Sequence, residues 1–145
     1  MDRFWIGKTL AELTTKQWEA LCDGCGLCCL QKLKNATTGK VHYTWVACRL
    51  LNLETGRCSD YEHRHNLVSD CLKLEPANVL KLRWLPKTCA YRRVAEGRDL
   101  PEWHPLITGD PESVCAAGFS VRHRAISEIY IHPDDLAIFQ IREKF

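Results

Sequence analysis

A dense cysteine motif constrains this chain more than any other feature of its sequence. Four cysteines lie within the eight residues CDGCGLCC at positions 22–29, and the whole chain contains nine cysteines in 145 residues. Thiols at this density bind a metal, form disulfides or carry out redox chemistry. The remaining five are Cys48, Cys58, Cys71, Cys89 and Cys115. A fold that brings such distant thiols together must be built around them.

The start of the sequence and its hydropathy favour metal binding over disulfide formation. The opening residues MDRFWIGK lack the apolar run of a signal peptide, and no stretch approaches the ~20 apolar residues of a membrane span. We therefore expect a cytoplasmic protein without a membrane partner, in a compartment that disfavours disulfides. The odd number of cysteines also argues against a fully paired scaffold.

Length and patterning predict one small domain of mixed structure. The 145 residues, 46% of them hydrophobic, suffice for a single domain spanning 1–145. We expect an irregular α+β fold with short helices and a modest antiparallel sheet, stapled by a cysteine metal cluster. The predicted helices are 9–21, 75–84, 89–95, 113–117 and 136–139, and Thr14 or Thr15 could cap a second start within the first of them. The predicted strands are 41–46, a hairpin ending at Cys58, 120–121 and 129–131.

Spacing within the motif indicates metal ligands. A CxxC turn lets two thiolates converge on one metal, and Cys22/Cys25 and Cys25/Cys28 form overlapping turns of this kind. Gly24 and Gly26 are expected to make the turn tight and irregular. Because adjacent side chains usually diverge, Cys28 and Cys29 should serve two sites or bridge two metals. The distal cysteines would then complete each site, although Cys71 and Cys115 could also be inert core residues.

The sequence discriminates poorly between metals. Sulfur-only sites suit zinc and iron–sulfur clusters alike, and zinc is slightly favoured here. The formal charge of +2 changes once thiolates bind metal, so it gives no argument for nucleic acid. Metal ions are the expected partners, a nucleic-acid partner is not expected, and the sequence identifies no protein partner.

Several sequence blocks resemble the YkgJ-type cysteine-cluster family, and its YcgN-like branch in particular. They are CDGCGLCC, CRLLNLETGRCSDYEHR from Cys48, CLKL from Cys71, WLPKTCAYR from Trp84 and WHPLITG from Trp103, and they occur in the same order over nearly the whole chain. The resemblance implies a bacterial, cytoplasmic domain that chelates zinc or iron, and it names no reaction. The metal ligands that it implies are Cys22, Cys25, Cys28, Cys29, Cys48, Cys58, Cys71 and Cys89. Cys115 lies outside that set.

Two other classes of function are compatible with the sequence. One is an iron–sulfur enzyme for redox or group transfer, with His104 and Tyr91 as substrate contacts. The other is a zinc-stabilised module that binds nucleic acid or protein, for which tryptophans such as Trp45 offer stacking surfaces. His63 and His65 could also reach a metal, but solvated loop histidines are the plainer interpretation. For His104, in Trp-His-Pro, a structural hydrogen bond is the expected role.

Overall fold

The computed structural model describes residues 3–68, 74–82 and 84–141, with only the backbone described for His65. Within these residues the α-helices are α1 (Thr15–Leu21), α2 (Arg64–Leu67), α3 (Ala90–Ala95), α4 (Pro105–Thr108) and α5 (Ser113–Ala116). The strands are β1 (Leu30–Lys34), β2 (Val41–Ala47), β3 (Leu51–Asn52), β4 (Arg57–Cys58) and β5 (Ile126–Ser127). Short 3-10 helical segments occur at Leu10–Glu12, Leu27–Cys29, Val79–Lys81, Glu128–Tyr130 and Pro133–Phe139. The predicted α+β class, with short helices and small sheets, is confirmed.

The described residues divide into two compact units. The first unit contains those in 3–24 and 74–119, and the second contains those in 25–68 and 120–141. The chain passes from the first unit to the second between Gly24 and Cys25, within the cysteine motif.

The first unit is helical and has one hydrophobic core. Its buried residues are Trp5, Leu10, Leu21, Val79, Leu85, Ala90, Tyr91, Val94 and Leu100. Helix α1 begins at a capping box, in which the Thr14 side chain accepts a hydrogen bond from Gln17 N and the Gln17 side-chain oxygen accepts one from Thr14 N. The predicted helix over 9–21 is therefore interrupted, and it restarts at Thr14 as its cap residues indicate.

The second unit is built on a three-stranded sheet in the order β1-β2-β5. Strands β1 and β2 are antiparallel with Lys32 opposite Tyr43, and β5 runs parallel to β2 with Ile126 opposite Val46. The predicted antiparallel sheet is thus a mixed one. A separate two-stranded hairpin pairs β3 with β4, and Leu51 lies opposite Cys58. The hairpin predicted to end at Cys58 is confirmed.

Candidate metal centre

Seven of the eight predicted ligands lie in the part of the chain that the structure describes. Cys71 lies outside the described residues. Cys22 and Cys89 belong to the first unit, and the second unit contains Cys25, Cys28, Cys29, Cys48 and Cys58. All of these cysteines, and Cys115, are thiols rather than disulfides.

Strand pairing brings three cysteines of the second unit together. The amide N–H of Cys48 donates to the carbonyl of Cys29 over 2.8 Å, which extends the β1–β2 ladder to the two cysteines. The chain then turns at once into the β3–β4 hairpin, where Ser59 N donates to Leu50 O over 2.6 Å. Cys58 therefore returns to the same end of the sheet as Cys29 and Cys48.

The surroundings of the Cys29 thiol disfavour its ionisation. A hydrogen bond to the Cys28 side chain, burial and the nearby Cys28, Cys48 and Cys58 thiols together hold the pKa of Cys29 well above its ordinary value. The expectation that Cys28 and Cys29 serve two sites or bridge two metals stays a prediction. Four thiols, those of Cys28, Cys29, Cys48 and Cys58, form what we call the second-unit cluster.

A carboxylate that the sequence did not single out lies beside this cluster. The side chain of Glu128 accepts a hydrogen bond from Arg49 N over 2.8 Å and another from Gln31 Nε2 over 3.3 Å. Burial chiefly raises the pKa of Cys48, and the nearby Glu128 and Cys58 raise it further. Since Glu128 is 79 residues from Arg49 in the sequence, no local pattern could have indicated the contact.

The glycines of the motif shape its turn as predicted. Gly24 and Gly26 have φ angles of +75° and +77°, in the left-handed region that favours glycine. Between them, the carbonyl of Cys25 accepts a hydrogen bond from Val121 N over 2.9 Å. A Cβ atom on Gly26 would lie 2.5 Å from Val121 Cγ2. Any residue with a side chain at this position would therefore overlap Val121. The Gly26 position thus sets the path from Cys25 toward the second-unit cluster.

In the first unit, helix ends position Cys22 and Cys89. Cys22 directly follows α1 and Cys89 directly precedes α3, and both pack against the same hydrophobic core. Trp18 of α1 contacts Tyr91 of α3 through their rings, with centroids 4.6 Å apart. The Tyr91 hydroxyl also donates to the Trp18 carbonyl over 2.8 Å. This packing ties together the two helices that carry Cys22 and Cys89.

His104 has the structural role that the sequence predicted. Its side chain is fully buried, and Nε2 donates to the carbonyl of Leu21 over 2.7 Å, immediately before Cys22. Its Nδ1 accepts from Leu106 N over 3.0 Å and caps α4. With both ring nitrogens bonded to backbone, and with the Tyr91 hydroxyl bonded as well, the geometry does not support the alternative in which these residues contact a substrate.

The candidates His63 and Cys115, and the residues next to His63, lie outside the second-unit cluster. The exposed His63 side chain contacts Asp60 Oδ1 through Nδ1 at 2.9 Å. Arg64 stacks over the Tyr61 ring, with its Cζ 3.6 Å from the centroid, and donates to the Tyr61 carbonyl. Cys115 lies in α5 and is partly buried. The side chain of His65 lies outside the described residues.

The donor chemistry of the second-unit cluster fits a metal that prefers sulfur, because four neighbouring thiols can supply four thiolates. In residues 3–68, 74–82 and 84–141, however, no three His, Cys, Asp or Glu side chains converge in a geometry that could hold a metal ion. Metal binding would therefore require the thiol side chains to rotate toward one another. Within the same residues, no helix has the length and hydropathy needed to span a membrane.

Comparison with known proteins agrees with the cysteine chemistry. Residues 21–90 match a family model described as "CxxCxxCC: Putative zinc- or iron-chelating domain". These residues include all eight predicted ligands and exclude Cys115. The match supports a metal-binding role and leaves the choice of metal open.

Curated relatives cover most of the chain. A UPF0260 protein of Rhizobium etli strain CIAT 652 is 56% identical over 133 residues, which are 92% of this chain and 84% of the relative. Similar proteins of Ectopseudomonas mendocina and Caulobacter vibrioides are 54% and 53% identical, over 92% and 87% of this chain and 90% and 78% of their own lengths. No solved structure matches the chain. On this identity and coverage, the chain belongs to the UPF0260 family of cysteine-cluster proteins.

Proposed function

We propose that this chain is a cytoplasmic metal-binding protein in which thiolates hold zinc or an iron–sulfur cluster, with zinc slightly favoured. The observation that carries the proposal is the second-unit cluster, where two hairpins bring together cysteines from both ends of the segment 28–58. Cysteines that only filled the hydrophobic core would not need to lie together at one end of a sheet. The full ligand set that we propose adds Cys22, Cys25, Cys71 and Cys89, in one domain spanning 1–145.

Zinc is the simpler occupant of the second-unit cluster. Four cysteine thiolates complete the tetrahedral shell of a structural zinc site without any inorganic sulfide. Metal binding would replace four thiol protons, two of which the surroundings hold tightly on Cys29 and Cys48. A divalent cation that replaces these protons would reduce the electrostatic repulsion among the four thiolates. Its binding would therefore add directly to the stability of the fold.

Iron stays as the second candidate because the matched family model names zinc and iron together. An iron–sulfur cluster would use the same thiolates and would add redox chemistry. Purification under anaerobic conditions separates the two metals. An iron–sulfur protein is brown, absorbs near ~400 nm and releases sulfide in acid. A colourless protein that contains zinc supports the zinc version, and a folded protein with neither metal would overturn the proposal.

A pair of matched variants tests the ligand assignment. Cys58→Ser removes a thiol of the second-unit cluster, and Cys115→Ser removes a partly buried thiol outside the ligand set. We expect Cys58→Ser to lose bound metal, measured by elemental analysis per chain, and to unfold at a lower temperature. Cys115→Ser should keep the metal content of the unmodified protein. Equal metal content in both variants would contradict the assignment.

A further inference from the structure

The carboxylate of Glu128 contacts both chain segments that carry Cys29 and Cys48. Its Oε2 atom accepts a hydrogen bond from Arg49 N over 2.8 Å and another from Gln31 Nε2 over 3.3 Å. Arg49 directly follows Cys48, and Gln31 lies two residues after Cys29. A single oxygen atom therefore joins the two segments on which these cysteines lie.

Both segments are irregular at the points where the carboxylate binds them. The pairing of β1 with β2 shifts register between Leu30 and Lys32, so Gln31 lies at a break in the ladder. Strand β2 ends just before Cys48, and the chain then turns, with Leu51 N donating to Cys48 O over 2.9 Å. Irregular positions of this kind occur next to functional sites, where they redirect a side chain or end the pairing. Regular sheet pairing therefore does not by itself fix the two cysteines.

Glu128 is itself held in place by the sheet. Strand β5 runs parallel to β2, and its last residue, Ser127, lies opposite Ala47, one residue before Cys48. The Ser127 side chain also caps the 3-10 turn that begins at Glu128. The Glu128 side chain is partly buried. The carboxylate is thus presented to the cysteine segments by a paired strand and a capped turn, which limit its freedom to move away.

We propose that Glu128 is a positioning residue of the metal centre, which holds Cys29 and Cys48 in the arrangement that binds metal. The inference rests on the proposed metal-binding function and deepens it. Groups that hydrogen-bond around metal ligands orient those ligands, and their loss typically lowers metal affinity about 10–100-fold. Glu128 acts through its hydrogen bonds to Arg49 N and to the Gln31 side chain.

Three variants separate these hydrogen bonds from the charge. Glu128→Ala removes both bonds, whereas Glu128→Gln keeps an amide oxygen that can accept both, because both end on one oxygen atom. Glu54→Ala is the matched control, since it removes one carboxylate from the exposed turn of the β3–β4 hairpin in the same unit. Affinity for zinc(II) is measured on the full-length, reduced protein by competition with a chromophoric chelator. We expect Glu128→Ala to bind zinc about 10-fold more weakly or worse, Glu128→Gln to keep most of the affinity and Glu54→Ala to keep all of it.

Two further measurements distinguish positioning from a general loss of stability. Cobalt(II) in place of zinc has visible absorption bands that depend on the arrangement of its thiolate ligands, and Glu128→Ala should change these bands whereas Glu54→Ala should not. In the metal-free protein, Glu128→Ala should speed hydrogen exchange at the Arg49 amide, because that amide loses its acceptor. Gln31→Ala removes only the longer bond and should cause a smaller loss of zinc affinity, with no further loss when it is added to Glu128→Ala.

The outcomes separate this role of Glu128 from the proposed function. An unmodified protein that binds no zinc, and contains no iron after anaerobic purification, would overturn both. If the unmodified protein binds zinc and Glu128→Ala binds it as tightly as Glu54→Ala does, only the role of Glu128 is wrong. Equal losses in Glu128→Ala and Glu128→Gln would also refute it, because the carboxylate would then act through its charge or as a ligand.

Two contingencies leave the test decisive. If the purified protein contains iron, iron content per chain replaces zinc affinity, and the same order of variants is expected. If thermal unfolding shows that Glu128→Ala does not fold, Gln31→Ala decides, and an unchanged metal affinity in that variant would refute the positioning role.

Discussion

Replacing Gly26 with alanine should destabilise the second unit more than any other glycine substitution for which the structure gives the surroundings. The new Cβ atom would lie 2.5 Å from Val121 Cγ2 and 3.4 Å from Leu51 Cδ2. Val121 is fully buried and Leu51 nearly so, hence neither can move aside without disturbing the core. The residue would also keep a φ angle of +77°, which L-amino acids adopt at a cost.

The two costs can be added from general values. A left-handed backbone costs an alanine roughly 1–2 kcal/mol, and forcing an extra carbon into a packed core typically costs about 1–3 kcal/mol. The total of about 2–5 kcal/mol is a large fraction of the ~5–15 kcal/mol that stabilises a typical domain. At about 3 °C per kcal/mol, the unfolding temperature should fall by roughly 6–15 °C.

Gly39→Ala provides the matched control. Gly39 belongs to the same unit and has a φ angle of +72°, but a Cβ atom there would have no neighbour within 4 Å. Its substitution should therefore cost only the backbone term, about 1–2 kcal/mol or roughly 3–6 °C. Both variants are compared with the unmodified protein by circular dichroism during heating, at equal metal concentration. If Gly26→Ala and Gly39→Ala lower the unfolding temperature equally, the argument from steric overlap is wrong.

Three further predictions concern the first unit. His104→Phe leaves the Leu21 carbonyl without its buried donor and should lower the free energy of unfolding by about 2–4 kcal/mol in urea denaturation, whereas His104→Asn, which can still cap α4, should cost less. Thr14→Ala removes the cap of α1 and should cost about 1 kcal/mol in the same assay, and no change would contradict the capping geometry. The pKa of Asp99 is lowered, chiefly by a hydrogen bond from Trp5 Nε1. The ionised Asp99 therefore stabilises the fold near neutral pH, and this stabilisation is lost as the carboxylate becomes protonated below about pH 4. The unfolding midpoint of the unmodified protein should accordingly fall more steeply in acid than that of Asp99→Asn, and parallel curves would refute this.

Local signals predicted the parts of the fold that depend on neighbouring residues. The Thr14 cap, the β2 strand, the hairpin ending at Cys58 and the αL glycines all follow from side chains within a few positions. Strand β1 was not predicted, because LQKLK contains no β-branched or aromatic residue and becomes a strand only through pairing with β2. Helix α4 was missed in the same way, since its four residues lie in a segment rich in proline and glycine.

The C-terminal region shows where sequence patterns fail. The strands predicted at 120–121 and 129–131 are wrong, and the strand forms instead at Ile126–Ser127, where it pairs in parallel with Val46 and Ala47. The segment 128–130 is a 3-10 turn that starts at the Ser127 cap. Its aliphatic and aromatic residues resemble a strand, but a parallel partner about 80 residues away decides which residues pair.

The candidate site likewise has a part that local sequence signals predict and a part that depends on long-range contacts. Cysteine spacing pointed to the thiols of the motif, because the chemistry of a CxxC turn is local, whereas the distal ligands were named by the family resemblance and their role stays a prediction. The contacts of Glu128 with Arg49 and of His104 with Leu21 span 79 and 83 residues, so only the folded chain could show them.

The second-unit cluster also has a consequence for the order of events during synthesis. Its four thiols lie within residues 28–58, and short hairpins bring them together, so the loops to be closed are small. Contacts between near neighbours in the sequence form early in folding. Because synthesis runs from the N-terminus, residues 28–58 leave the ribosome before residues 120–141, which complete the sheet. On the proposed function, metal capture can therefore precede completion of the unit, and the ion would act as a nucleus on which the later residues assemble.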